Sequence, residues 1–210
     1  MKPLLIVGPD STLRDVYSLA TEVHPDRRVE ALHLPSEDYY RFDLTGLADF
    51  PPEKWNICIA VNEFYINDVR RALHTLVEPL GYHAISLISP HAHVDSSAIV
   101  GENTIIHPGC FVGAGSTLGH HCVLRPNGVL GEDVTLGDYV TLEANVSVRE
   151  LSRIGSFTTL CANTSLARMS DIGAHCYLNI PRQYGGQIPD GTFYSPSFEN
   201  PVHVISSGKA

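Results

Sequence analysis

The second half of the chain contains adjacent carboxylates that could take part in group transfer. Glu132 and Asp133 are neighbours in the sequence. A carboxylate that loses solvent can take a proton from an attacking amine or hydroxyl, and a second negative charge beside it raises its proton affinity. The pair is therefore one candidate general base. The alternative is that both are solvated, since acidic residues recur at similar positions nearby.

A second candidate rests on an interval of eighteen residues. His120 is followed at that interval by Asp138 and preceded by Glu102. A histidine that is oriented by a carboxylate is a competent general base. A surface ladder of opposite charges, which contributes little to stability, would produce the same spacing.

The same interval relates His107, Arg125 and Glu143. Arg125 could clamp a phosphate or carboxylate through paired N–H groups. The alternative is a salt-bridged face without function. A reaction without any protein base also remains open, in which a bound neutral amine attacks and the protein supplies proximity.

A six-residue period must position these side chains. Every sixth residue from Ile88 to Leu178 is Ile, Leu or Val, sixteen in succession. The residue two places earlier is never larger than Val, and Gly often follows the aliphatic residue. This pattern predicts a parallel β-helix of hexapeptide repeats, with the aliphatic column inside and three hexads to each triangular coil. Coils stack about 4.8 Å apart, so residues eighteen apart become neighbours.

The sequence therefore divides into three parts. Residues 86–180 form the predicted β-helix, of a little over five coils, and residues 181–210 form a tail or cap. Turn residues mark this tail, and the segment 202–205 is expected either to add an edge strand or to cap the last coil. Residues 1–85 alternate predicted strands and helices, which indicates a small parallel α/β sheet. Its expected strands are 4–7, 29–34, 57–61 and 84–88, its helices end near residues 23 and 80, and 35–54 is loop-rich.

The turn after the first predicted strand is a candidate substrate site. Gly8, Asp10 and Ser11 lie where a helix N-terminus follows a strand. Such termini often hold phosphate. An ordinary capped turn is the alternative, because the G-x-G-x-x-G spacing is absent.

Composition limits the partners. The 210 residues carry a formal net charge of -9, which argues against binding a nucleic-acid polymer. No apolar run approaches the roughly 20 residues needed to cross a membrane. The five cysteines form no CxxC pair, which is typical of reduced thiols and predicts a cytoplasmic protein.

A short α/β unit followed directly by hexapeptide repeats resembles a family of bacterial acetyltransferases. The family contains the nucleotide-sugar N-acetyltransferases of the bacillosamine pathway and the sialic acid O-acetyltransferases, and the resemblance covers nearly the whole chain. It implies a left-handed β-helix, a homotrimer, acetyl-CoA as co-substrate, and a sugar or sugar nucleotide as acceptor, in surface-polysaccharide biosynthesis. Exposed aromatic residues on the predicted solenoid would suit trimer contacts, although the α/β unit could cover them instead.

The resemblance also implies site residues. The family's catalytic histidine position falls on Glu132, its acidic neighbour on Asp133, and an Asn-Thr pair of the substrate pocket on Arg125 and Pro126. CoA binding is expected at the positions Asn145, Ala162 and Asn163. No catalytic metal is expected, since the solenoid histidines lack the His-x4-His spacing of related zinc proteins. A non-catalytic, trimeric sugar-nucleotide-binding relative is the alternative, because the histidine itself is missing.

Overall fold

The computed structural model describes residues 1–204. Within them, the N-terminal unit has a parallel sheet of order β2-β1-β5-β6 and a separate antiparallel hairpin, β3-β4. Its strands are β1 Leu4–Gly8, β2 Val29–His33, β3 Ser36–Asp38, β4 Arg41–Phe42, β5 Asn56–Ile59 and β6 His83–Ala84. Its helices are α1 Thr12–Val23 and α2 Asp68–Val77, with 3-10 turns at Thr45–Asp49 and Glu78–Leu80. The segment expected to be loop-rich thus contains the hairpin and one 3-10 turn.

The solenoid consists of two-residue strands that pair in parallel with the strand one coil away. We call its three sides the docking face, the second face and the third face. The docking face contains β7 Leu87–Ile88, β10 Ile105–Ile106, β13 Val123–Leu124, β16 Thr141–Leu142, β19 Thr159–Leu160, β22 Tyr177–Leu178, β25 Thr192–Tyr194 and β26 Val202–His203. The second face contains β8 His93–Val94, β11 Phe111–Val112, β14 Val129–Leu130, β17 Ser147–Val148, β20 Ser165–Leu166 and β23 Gln183–Tyr184. The third face contains β9 Ile99–Val100, β12 Thr117–Leu118, β15 Thr135–Leu136, β18 Arg153–Ile154, β21 Asp171–Ile172 and β24 Gln187–Ile188.

The six-residue prediction of the core is confirmed. The aliphatic column faces inward, with Val112 and Leu130 fully buried and Val148 only 1% exposed. The small column beside it is also buried from Cys110 to Cys176. The fold class is confirmed as a small parallel α/β unit followed by a parallel β-helix, and its geometry is consistent with the left-handed form.

The solenoid is longer than the sequence period indicated. Six coils, not five, are present within residues 1–204, because β23 and β24 pair with the preceding coil. The predicted boundary at residue 180 therefore falls inside the last coil, between β22 and β23. Tyr184 occupies the inward position there, and its hydroxyl donates to the Ile180 carbonyl at 3.0 Å.

The ends of the predicted segments also differ in detail. The single strand expected over 84–88 is two strands in different sheets, β6 and β7. The expected edge strand is present as β26, which pairs antiparallel with β25. Residue 205, included in that expectation, lies outside the described residues.

The α/β unit packs against the docking face of the solenoid. One side of its sheet and α1 bury Leu4, Ile6 and Val16 against Leu87 and Val123 of the solenoid. The other side of the sheet packs on α2. Because both contacts are extensive and apolar, α1 and α2 sit in fixed positions beside the solenoid corners.

Candidate functional site

Each corner of the triangular solenoid has residues with positive φ stacked one coil apart, and we name the corners after them. The asparagine corner, between the docking and second faces, has Asn127, Asn145 and Asn163. The mixed corner, between the second and third faces, has Asp133, Leu151 and Met169. The aromatic corner, between the third and docking faces, has His121, Tyr139, Phe157 and His175.

The predicted catalytic residues lie on two different corners. Glu132 and Asp133 are on the mixed corner, both exposed, and neither side chain forms a hydrogen bond or ion pair with another residue of the described chain. His120 and Asp138 are on the aromatic corner. The two predicted pairs are therefore not parts of one site within a single chain.

The stacking of His120 and Asp138 is confirmed, but not as a histidine held by a carboxylate. Asp138 Oδ1 accepts from the backbone N–H of His120 at 2.8 Å. The His120 ring uses Nδ1 to accept from the backbone N–H of Glu102 at 3.1 Å. The carboxylate thus holds the backbone of the coil, and the contact stabilises the stack of coils.

The asparagine corner brings two of the predicted substrate residues together with the predicted cofactor residues. His107 and Arg125 lie at the same corner as Asn145, Ala162 and Asn163. The asparagines form a ladder, in which Asn127 donates to Asn145 at 3.2 Å and Asn145 donates to Asn163 at 3.1 Å. The chain therefore places both candidate binding sets beside one edge of the α/β unit.

Two carboxylates of the α/β unit approach Arg125. Its Nη1 donates to Asp15 Oδ2 at 2.8 Å, and its Nη2 lies 3.9 Å from Glu63 Oε2. Asp15 is in α1 and Glu63 follows β5, so Arg125 is bound from two elements of that unit. His107 is buried below, with Nε2 3.7 Å from Asp15 Oδ2. Burial lowers the pKa of His107, so the ring is neutral near pH 7.

An open groove continues from this cluster, and we call it the junction groove. It has a volume of about 490 Å³ and is lined by Glu63, Phe64, Tyr65, Ile66, Tyr177 and Phe193. Tyr65, Ile66 and Asn67 have consecutive positive φ values of 50°, 55° and 64°. A β-branched residue such as Ile66 is strained in that region, and such strain is typical of binding segments.

Asn67 holds this strained segment on the docking face. Its Nδ2 donates to Thr159 Oγ1 at 3.0 Å, and its Oδ1 accepts from Thr141 Oγ1 at 2.6 Å. All three residues are fully buried. The wall of the junction groove is therefore fixed by hydrogen bonds to the solenoid.

Glu143 was not among the predicted catalytic residues, but the structure gives it distinct surroundings. It lies one coil above Arg125 and is half-buried, and its Oε2 accepts from the backbone N–H of Ala162 at 3.0 Å. Burial, with Glu63 nearby, raises the pKa of Glu143. The eighteen-residue interval identified this column, but only the docked α/β unit shows why Glu143 differs from the other acidic residues.

The predicted phosphate turn has structural roles. Asp10 Oδ1 accepts from the N–H of Thr12 at 2.7 Å, and Oδ2 accepts from Asn62 N–H at 3.3 Å. Ser11 makes no side-chain cap. A Cβ at Gly8 would collide with the Ala60 carbonyl oxygen, so the glycine permits close strand packing. A carboxylate already occupies the helix N-terminus, as in a capped turn.

A second cavity lies on the other side of Phe64. It has a volume of about 340 Å³ and is lined by Pro9, Asp10, Ser36, Glu37, Asp38, Tyr39, Phe42, Phe64 and Val69. Tyr39 packs edge-on against Phe64 and Tyr65, with ring centroids 5.8 and 4.8 Å apart. The two cavities are thus separated by one aromatic cluster.

Residues 1–204 contain neither a cluster of metal ligands nor a membrane-spanning helix. No group of three or more His, Cys, Asp or Glu side chains there could hold a metal ion. No helix in this part of the chain is long and apolar enough to cross a bilayer.

Comparisons with known proteins agree with the architecture. No family model and no curated protein matches the sequence. The acetyltransferase domain of PglB from Neisseria gonorrhoeae is similar, with a TM-score of 0.80 and 22% identity over 92% of this chain and 96% of that one. PerB from Caulobacter crescentus, solved with CoA and GDP-perosamine, has a TM-score of 0.79 and 18% identity over 92% of this chain and 93% of that one. WeeI from Acinetobacter baumannii has a TM-score of 0.61 and 16% identity over 92% of this chain and 96% of that one.

At these identities the comparison establishes the fold. The resemblance inferred from the sequence is confirmed at that level, since both the α/β unit and the solenoid are covered. The PglB domain has also been solved with acetyl-CoA bound. The chain thus has the two-part fold of solved sugar acetyltransferases.

Proposed function

We propose that this chain transfers an acetyl group from acetyl-CoA to an amino or hydroxyl group of a nucleotide-linked sugar. The observation that carries the proposal is the junction groove, formed where an α/β unit docks on a hexapeptide solenoid. A protein of the same fold binds CoA and GDP-perosamine together. The acceptor sugar would lie in the junction groove, beside Arg125 and Glu143.

The exposed arginines support a site for the CoA phosphates. Arg149 and Arg168 lie at the mixed corner, where both contact Glu150, at 3.3 and 3.5 Å. Arg153 is exposed on the adjacent third face. In a chain of net negative charge, such a group offers the cations that a polyanionic cofactor needs. The proposed assembly is a homotrimer. The proposed setting is cytoplasmic surface-polysaccharide biosynthesis.

Titration calorimetry with acetyl-CoA tests the proposal directly. We expect saturable binding well below millimolar concentration, and release of free thiol when an accepted nucleotide sugar is added. Absence of binding at millimolar acetyl-CoA would contradict the function. Light scattering on the same sample checks the trimer, for which a monomer mass is the contrary result.

One observation favours a second candidate, a sugar-nucleotide-binding protein without catalysis. Glu132 is solvent-exposed and has no side-chain partner among the residues described, so nothing within one chain prepares it as a base. If the chain only binds, a nucleotide sugar should bind without thiol release from acetyl-CoA. Glu132→Gln would then change neither measurement.

A further inference from the structure

Glu143 is held in one orientation near Tyr177, a residue of the junction-groove wall. The Ala162 N–H donates to one carboxylate oxygen of Glu143 at 3.0 Å. Burial raises the pKa of the Tyr177 hydroxyl, and the nearby negative charge of Glu143 raises it further. A carboxylate with one oxygen anchored presents the other in a defined position.

The charges around this position do not balance. Arg125 is bound by Asp15 at 2.8 Å and lies 3.9 Å from Glu63. No cation of residues 1–204 lies within 4.0 Å of Glu143. Asp15 and Glu63 thus share one guanidinium and Glu143 has no ion pair, so the cluster has surplus negative charge that would attract a cation.

A buried nitrogen at the same cluster also lacks a partner. His107 Nε2 is shielded from solvent and makes no hydrogen bond within the described chain, although the His107 side chain is only 4% exposed. Buried polar atoms are usually paired, and exceptions often mark sites that a ligand or water completes. The nitrogen lies 3.7 Å from Asp15 Oδ2, so the same cluster also contains a buried polar atom of the kind that a ligand or water completes.

We propose that the junction groove selects an amino-sugar acceptor as its ammonium, and that Glu143 takes the proton that makes the amine nucleophilic. The inference rests on the proposed function and specifies its acceptor. Glu63 would hold the ammonium from the α/β side, and Glu143 from the solenoid side.

The step balances as follows. The ammonium gives one proton to the Glu143 carboxylate, and the freed nitrogen lone pair forms a C–N bond with the thioester carbonyl carbon. The C–S bond then breaks, and the second nitrogen proton goes to the CoA thiolate, so the products are the amide and CoA thiol. Glu143 returns its proton to solvent. Neither an oxidant nor a reductant is required.

The surroundings of Glu143 agree with this role. The charged and titratable groups facing it are Glu63 from the α/β unit and Arg125, Cys161 and Tyr177 from the solenoid. Burial and Glu63 raise its pKa, while the Ala162 N–H and Arg125 oppose the shift. A base must be deprotonated to act, so activity should rise with pH through this raised pKa.

The test uses the full chain, acetyl-CoA, GDP-perosamine as the amine probe, and the analogue with hydroxyl in place of that amine. Glu143→Gln can keep the hydrogen bond from Ala162 but cannot take a proton. We expect kcat/KM with the amine to fall about 100-fold or more, with loss of the acidic limb of the pH profile. Glu63→Gln should mainly raise KM. Glu53→Gln is the matched control and should keep wild-type rates, because Glu53 is exposed and precedes β5, at the end of that strand opposite to Glu63.

The outcomes separate the two proposals. Wild-type transfer that Glu143→Gln leaves intact, in a variant that melts like wild type, overturns the role of Glu143 alone. Equal rates of the wild type with the amine and the hydroxyl probe overturn selection of the ammonium alone. The same holds if the wild type binds acetyl-CoA but binds the amine probe no better than the hydroxyl probe. If acetyl-CoA does not bind, both proposals fail together.

Discussion

The aromatic and asparagine corners share one backbone conformation but have different surroundings. At the aromatic corner, His121 and Tyr139 stack at 4.7 Å and are covered by α2. At the asparagine corner, the stacked amides of Asn127, Asn145 and Asn163 are exposed. The difference shows that the backbone of a hexapeptide corner does not decide its role. What packs on the corner decides whether its side chains stabilise the fold or remain available for a ligand.

Tyr139 illustrates the first outcome. As an aromatic residue pointing outward from the predicted solenoid, it was expected to suit subunit contacts. It is only 9% exposed, however, and its hydroxyl forms a 2.7 Å hydrogen bond with Nδ1 of His74 in α2. Burial raises its pKa to about 12. The α/β unit thus covers this residue, while Phe111 on the second face is 42% exposed.

The largest expected effect comes from Arg70, which joins α2 to the aromatic corner. It is fully buried and donates to the carbonyls of Val61 and His121 and to Thr141 Oγ1, at 3.1, 2.8 and 3.1 Å. Arg70→Ala leaves these acceptors unpaired, and we expect a loss of about 3 kcal/mol or more of unfolding free energy. Urea unfolding followed by the single tryptophan, Trp55, measures it.

The neighbouring residue provides the control. Arg71 is half exposed and pairs with Asp68 at 2.8 Å, so Arg71→Ala should cost less than about 1 kcal/mol. Equal losses in the two variants would show that the buried contact with the corner does not hold the two units together.

An intermediate effect is expected from pH acting on His121. Burial, followed by the nearby His74 and Arg70, lowers its pKa from 6.5 to about 2. The unfolded state therefore binds a proton that the folded state excludes, so stability falls as pH drops below about 6.5 toward 2. His121→Phe removes this penalty and keeps the stack, since Phe157 has the same corner conformation. The variant should gain up to about 2 kcal/mol over wild type between pH 7 and pH 5.

Urea unfolding at both pH values checks this sign. His121 Nδ1 has no hydrogen-bond partner in the described chain, so little should be lost at pH 7. A gap between the two proteins that stays constant from pH 7 to pH 5 would mean that His121 is not kept neutral.

The smallest effect is expected at the asparagine corner. Asn145 has a φ of 60°, which an alanine tolerates at a cost of about 1 kcal/mol, whereas glycine has no such cost. Asn145→Ala should therefore lower the unfolding free energy by about 1 kcal/mol and Asn145→Gly by less. Thermal and urea melts of the pair decide it. Similar losses would instead assign the cost to the amide ladder.

The solenoid could be predicted because its period repeats one physical constraint. Each inward position must fill the same narrow core, so an aliphatic residue recurs one coil apart, as at Val112, Leu130 and Val148. The last coil escaped the pattern since Tyr184 replaces an aliphatic residue and Ile188 follows it after four residues instead of six. The aromatic hydroxyl is accommodated only because the Ile180 carbonyl accepts its hydrogen bond.

The candidate site could be predicted only in part. The interval of eighteen residues placed His107, Arg125 and Glu143 in one column. It could not supply Asp15, which is 110 residues away from Arg125, because no local pattern encodes how two units dock. For the same reason, three corners that look equivalent in sequence differ in burial and charge.

The antiparallel pairing of β26 has a consequence for solubility. Parallel coils leave an open edge at the end of the stack, onto which a strand of another molecule could add. β26 reverses direction and pairs with β25 through Thr192 and Phe193, so this edge of the docking face is already occupied. β26 thereby hinders the parallel addition of a strand from another molecule at this face.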